Sequence, residues 1–203
     1  MIENIFPTKG NLLAVKKSLF LAKTGFELLD KKRNILIREM MTLIDLANAI
    51  RNDIDSTYKK AYLSLQRANI TLGVCENMAC AIPIENSIDI KFRSVMGVEI
   101  PTVTYEKKSL KINYGISMSN SQLDYAYKCF DKVKELTITL AQLENSVYKL
   151  AIAIKKTQKR ANALKNIIIP DYTHAVKFIT SALEEKEREE FSRLKVIKQT
   201  KNK

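Results

Sequence analysis

The sequence predicts a mostly α-helical chain: a long antiparallel two-helix, left-handed coiled coil with a short β-hairpin insert between the helices. Three observations lead there. Apolar residues recur with a 3.5-residue period over two long stretches. Helix breakers are scarce, five glycines and four prolines in 203 residues, and they cluster at the start and in one middle segment. That middle segment alternates apolar and polar residues with period two. So few breakers exclude a turn-rich sandwich or barrel.

The first helix is expected over residues 8–72. Thr8 is a good N-cap, with Pro7 before it. Leu12, Val15, Leu19, Ala22, Phe26 and Leu29 follow in steps of three and four, then Leu36, Met40, Leu43, Ala47, Ile50 and Ile54. Arg33 is the one charged residue in this seam of 13 positions. A 3.5-residue repeat held this long implies a left-handed supercoil. At 1.5 Å per residue the helix is roughly 95 Å long, too long for a compact globule of this mass.

Residues 73–118 form an irregular insert with a hairpin at about 86–105. Ile88, Ile90 and Phe92 alternate with Asp89, Lys91 and Arg93, and Val98, Ile100, Val103 and Tyr105 follow Gly97. Pro101 marks the second run as an edge strand. An isolated hairpin is marginal in water, so this one needs a surface to lean on.

The second helix is expected over residues 119–198, beginning near Ser119 or Ser121. Ser119-Asn120-Ser121-Gln122 has capping-box spacing, and Leu123, Ala126, Phe130 and Val133 open the stripe. The phase slips at Val133–Leu136, a stammer. A cleaner seam follows: Leu136, Leu140, Leu143, Val147, Leu150, Ile154, Thr157, Ala161, Leu164 and Ile168. Helix-forming sequence resumes beyond Pro170, so a kink is expected there and not an end. To pair within one chain, the helices must run antiparallel. Both termini then lie at one end of a rod and the hairpin at the other.

The chain carries 34 basic and 22 acidic residues, a net charge of +12. Residues 1–72 and 120–203 hold this excess, and the insert is neutral. A basic surface attracts nucleic acid, anionic lipid or acidic protein, and charge does not choose among them. An odd set of cysteines (Cys75, Cys80 and Cys129) and a start without signal-peptide character point to a reduced, cytoplasmic setting. No apolar run reaches the ~20 residues of a membrane span.

No catalytic, cofactor-binding or metal-ligating residues are expected. Phosphate-binding loops are missing, and a lone histidine, His174, cannot make a two-histidine zinc site. Cys75 and Cys80 lack the spacing of a zinc knuckle or a redox pair. Arg33 is expected to snorkel or to pair with a glutamate on the other helix, with a register lock or a partner contact as the alternative. Lys149, Lys155, Lys156, Lys159, Arg160 and Lys165 run without an acid between them. They form either a solvated outer face or a surface for an acidic partner. The Glu184–Glu190 run carries mixed i,i+4 charges and suits an exposed helix face.

Two segments carry a family resemblance. Pro7-Thr8, then Leu12-Leu13, Leu19, Gly25-Phe26-Glu27-Leu28-Leu29 and Lys32-Arg33 closely resemble the N-terminus of the D subunit of V-type and A-type rotary ATPases. Arg160-Ala161-Asn162-Ala163-Leu164, Ile169-Pro170, Glu187-Arg188 and Phe191-Ser192-Arg193-Leu194-Lys195 resemble its C-terminal signature. Asp30 departs from the pattern, standing where lysine is common, and the insert matches only in character. The resemblance implies a central-stalk rotor shaft without a catalytic site of its own. It would transmit torque between a catalytic head of A and B subunits and the membrane ring, coupling ATP synthesis or hydrolysis to proton or sodium transport. Its other partners would be the F subunit of the stalk and the C/d subunit that links it to the membrane rotor, on the cytoplasmic face of the membrane. Thr8, Lys9, Leu12, Lys16, Leu19, Phe191, Leu194, Lys195 and Lys198 would form the tip inserted in the head. Ile88, Ile90, Phe92, Lys149, Lys156 and Arg160 would meet the other stalk subunits. The rival reading is a basic coiled coil that binds nucleic acid or anionic membrane. Against it, no aromatic residues interleave with the Lys149–Lys165 run.

Overall fold

The computed structural model describes residues 6–84, 86–105, 114–115 and 119–201. Parts of the expected insert, 106–113 and 116–118, lie outside the described residues. Helix α1 spans Lys9–Leu72. Its N-cap is Thr8, whose Oγ1 accepts the Asn11 N–H at 3.2 Å. A short helix, α2 (Glu76–Cys80), follows, which the sequence pattern does not announce. Strands β1 (Ile88–Val95) and β2 (Val98–Tyr105) pair antiparallel, joined by Met96-Gly97. Helix α3 spans Ser121–Ala163. Its cap is Asn120 and not Ser119: the Asn120 Oδ1 accepts the Gln122 N–H at 2.8 Å.

Helix α3 passes into a π-turn, Leu164–Ile168, and then into α4, Ile169–Lys201. The helical path thus continues through Pro170. Proline has no N–H to give and its ring crowds the carbonyl four residues back. The π-turn meets this by widening, with the Ile169 N–H reaching back to the Leu164 carbonyl. One extra residue is taken up, and the apolar stripe changes phase. The expected seam residue Ile168 is therefore left 37% exposed, and burial resumes at Ala175 and Ile179.

The chain divides into two compact units, residues 1–35 with 154–203, and residues 36–153. In the first, α1 pairs antiparallel with the α3–α4 side. Val15 packs with Ala175 and Ile179, supported by Leu12, Tyr172, Val176 and Leu183. Further along, Gly25 faces Leu164, and Arg33 meets Gln158. In the second unit the same antiparallel order holds. Arg51 pairs with Glu144 at 2.8 Å, the Tyr62 ring meets the Phe130 ring edge-on at 5.5 Å, and Ala68 packs with Leu123. All 13 expected seam positions of α1 are buried or half-buried, as are nine of the ten in the second helix.

Candidate partner-binding surfaces

In the first unit, the two chain ends supply a surface from α1 and α4. Lys9 bridges to Glu187 at 3.1 Å, which ties the start of α1 to α4. Both side chains are well exposed, so the pair contributes about 0–1 kcal/mol. Thr8, Lys9 and Lys16 are exposed, whereas Leu12 and Leu19 are half-buried in the seam. From Glu184 to Lys201 every residue of α4 is exposed. Phe191, Leu194, Val196 and Ile197 lie in this stretch, 60–70% exposed, interleaved with Lys195 and Lys198. No described segment of the chain covers them.

More apolar surface lies where seam reasoning does not look. Leu13, Phe20, Leu21 and Leu28 of α1 are each at least 60% exposed. They fall between the seam positions. The signal in the sequence is a second apolar residue beside a seam leucine, as in Leu12-Leu13 and Leu28-Leu29. Scattered apolar residues on a surface are ordinary, but several large ones on one helix mark a surface that something covers.

The second unit carries the hairpin. Met96 and Gly97 both have positive φ, 51° and 76°, as a two-residue hairpin turn of the primed type requires. That turn sets the register, in which Phe92 faces Pro101 and Arg93 faces Ile100. Pairs alternate between bonded and non-bonded along such a ladder. Pro101 falls in a non-bonded pair, so its missing N–H costs no ladder bond. The outer edge of β2 is instead capped by α3. The Val103 N–H donates to Gln142 Oε1 at 2.9 Å, and Ser146 Oγ reaches the Pro101 carbonyl at 3.5 Å. Pro101 thus stands where β2 meets a helix. Ile100 is fully buried, and Arg93 bridges to Glu39 at 2.9 Å, so one face of the hairpin leans on α1.

The other strand is open. Every residue of β1 except Val95 is exposed, including Ile88, Ile90 and Phe92. The structure brings Lys149 to Phe92, with its Nζ 4.8 Å from the ring centroid. Lys156 and Arg160 belong to the first unit, where they are exposed. Lys155, Lys156, Lys159 and Arg160 form no ion pair with any described acid.

Arg33 is the seam charge, and its partners differ from those expected. It bonds Asp30 Oδ1 on its own helix at 2.6 Å, and its Nη1 donates to Gln158 Oε1 at 2.8 Å. The opposite helix offers an amide where a glutamate was anticipated.

Tyr114 makes the second unit's one strongly perturbed group among the described residues. Burial, then the hydrogen bond to Asp124 at 2.6 Å, holds its hydroxyl well above the usual tyrosine range. It packs with Ala68, Leu123 and Tyr127 and is a structural tie. His174 is exposed, and Cys75, Cys80 and Cys129 are free thiols. Among the described residues, no three His, Cys, Asp or Glu side chains gather as a metal site, and no helix is long and apolar enough to cross a membrane.

Sequence comparison finds relatives along nearly the whole chain. The family model that describes the D subunit of ATP synthase matches residues 11–199. A V-type ATP synthase D subunit of Thermotoga neapolitana is 45% identical over 198 residues, covering 97% of this chain and 98% of its own. An A-type ATP synthase D subunit of Pyrococcus horikoshii is 37% identical over 202 residues, with 97% and 94% covered. The corresponding protein of Methanobrevibacter smithii is also 37% identical, with 98% and 89% covered.

Proposed function

The chain belongs to the family of ATP synthase D subunits, and from that premise we propose that it is the central-stalk shaft of a V/A-type rotary ATPase. It is a non-catalytic subunit. Nucleotide chemistry resides in other subunits of the complex, and this chain transmits torque to or from them. The membrane attachment is indirect: the chain sits peripherally on the cytoplasmic face, through the complex.

The observation that carries this reading is the uncovered end of α4. Phe191, Leu194, Val196 and Ile197 are large, apolar and exposed, on a stretch that packs against nothing else described in the chain. Such a surface needs a partner. We assign that partner as the catalytic head of A and B subunits. Thr8, Lys9, Lys16, Phe191, Leu194, Lys195 and Lys198 face it, and Leu12 and Leu19 act from within the seam by fixing the helix that presents them. The stalk's F subunit and the C/d subunit that links to the membrane rotor take surfaces of the second unit, where Ile88, Ile90 and Phe92 with Lys149 offer an apolar and basic patch. Lys156 and Arg160, unmatched by acids of the described chain, face acidic groups of the complex.

The test uses the assembled complex, purified from native membranes with a photo-crosslinking residue at position 194 or at position 90. Position 194 is expected to capture one of the catalytic subunits and position 90 a smaller stalk component. Capture of the hairpin or of a membrane-ring component from position 194 overturns the head assignment. Recovery of the tagged chain with nucleic acid and without ATPase subunits overturns the whole reading.

A further inference from the structure

We propose that Arg33 and Gln158 fix the axial register of α1 against the α3–α4 side in the first unit. On α1 the seam around Arg33 is apolar and repeats every seven residues, and only the facing side is interrupted, at the π-turn. Sliding one helix by a heptad, about 10 Å, sets apolar residues against apolar residues again. Burial of apolar surface therefore discriminates weakly between registers. A polar residue in the seam discriminates strongly, because it must find its partner.

Arg33 is held inside the seam, its side chain 24% exposed. Asp30 and Asn34 also bond it: Nη2 lies 2.6 Å from Asp30 Oδ1 and 3.2 Å from Asn34 Oδ1. Both ride on α1 and travel with Arg33 in any register. They balance its charge but carry no register information. Gln158 Oε1, accepting from Nη1 at 2.8 Å, is the contact that crosses between helices. Its amide is oriented by Asn162, whose Oδ1 accepts from Gln158 Nε2 at 2.9 Å. A slip of one heptad replaces Gln158 by Ala151 or Lys165. Alanine offers no acceptor and lysine a like charge. The native register is thus the one among its neighbours in which Arg33 is satisfied across the seam. This inference concerns how the chain aligns its own helices and goes beyond the stalk reading. For a shaft, it is the contact that keeps torque from being lost as axial slip.

The test uses the full chain with Cys75, Cys80 and Cys129 replaced by serine and spin labels at Lys17→Cys and Lys159→Cys, both exposed positions. Electron–electron distances report the register. With Arg33 present, a single distance is expected. Arg33→Met is expected to add a second population displaced by about 10 Å. Its thermal midpoint should stay level or rise, since an apolar side chain suits the seam. Gln158→Leu should broaden the distances in the same way. Arg33→Lys, which keeps a donor toward Gln158, should stay close to one distance. A single unchanged distance in both Arg33→Met and Gln158→Leu overturns the proposal. So does a loss of helicity or a lower midpoint in Arg33→Met, which would make Arg33 a stabilising contact and not a register device.

Discussion

Truncation of Ile100 to alanine tests how the hairpin is held. Ile100 is the one strand residue that is fully buried. Among the contacts that dock the hairpin on the helices, three differ in magnitude. Deleting a buried isoleucine side chain to alanine costs about 2–5 kcal/mol, transfer and cavity together. Removing Gln142 leaves the Val103 N–H without its acceptor, about 1 kcal/mol at a half-buried site. The Arg93–Glu39 bridge has one side chain 54% exposed and contributes about 0–1 kcal/mol. Ile100 therefore dominates. A detached hairpin is marginal in water, so its loss should open the strands locally while the helices persist. Taking about 3 kcal/mol, the ladder amides of Lys91, Arg93, Ile100 and Thr102 should exchange roughly 150-fold faster in Ile100→Ala. Gln142→Ala should accelerate them about fivefold, and Glu39→Ala less. The measurement is native-state hydrogen exchange followed by mass spectrometry or NMR. Acceleration below about fivefold in Ile100→Ala would refute the anchor. Equal acceleration at Leu143–Leu150 would show that hairpin and helices open as one unit.

Gly25→Ala should stabilise the chain by about 0.5–1 kcal/mol, read as a higher urea midpoint, because a helical glycine is costly. The new Cβ meets only Leu164 Cδ1, at 3.9 Å, an ordinary contact. Met96→Asn should slow exchange of the hairpin amides severalfold, because Asn tolerates the positive φ that strains Met96. Tyr114 is held protonated by burial and by Asp124, so the unfolded chain loses this proton first as pH rises. Stability from this group is full below the ordinary tyrosine value of about 10 and falls above it, by about 1.4 kcal/mol per pH unit. Tyr114→Phe should flatten that decline in a series of urea melts from pH 9 to 11, and an unchanged slope would assign the decline to other groups.

The seam of α1 was legible in the sequence because almost nothing interrupts it. Gly25 is the only breaker between Asn11 and Leu72, and each three- or four-residue step fixes the next. The hairpin was legible for the same reason, since β-branched alternation has one sensible fold. The π-turn was not. Ile167, Ile168 and Ile169 stand in a row, so apolar pattern gives no phase there, and Pro170 signals a disturbance without saying how it is absorbed. The α3 cap moved from Ser119 to Asn120 because three adjacent polar residues can each cap, and only backbone geometry selects among them. For the surfaces, seam reasoning finds what is buried and passes over what is apolar and exposed. It missed Phe20, Leu21 and Leu28. The pairing of Arg33 with Gln158 was missed because polar pairs across a seam obey geometry and not periodicity.

A coiled coil that exists for itself needs apolar residues in its seam and charges of both signs around it. This chain departs from that on two counts. Its helices carry large apolar side chains outside the seam, at Leu13, Phe20, Leu28 and the α4 end. Its basic run at Lys155, Lys156, Lys159 and Arg160 has no acid of the described chain in reach. Each departure costs free energy or solubility in the isolated molecule, and neither contributes to pairing the two helices. The proposed stalk placement accounts for both, with partner subunits that are apolar where α1 and α4 are apolar and acidic where α3 is basic.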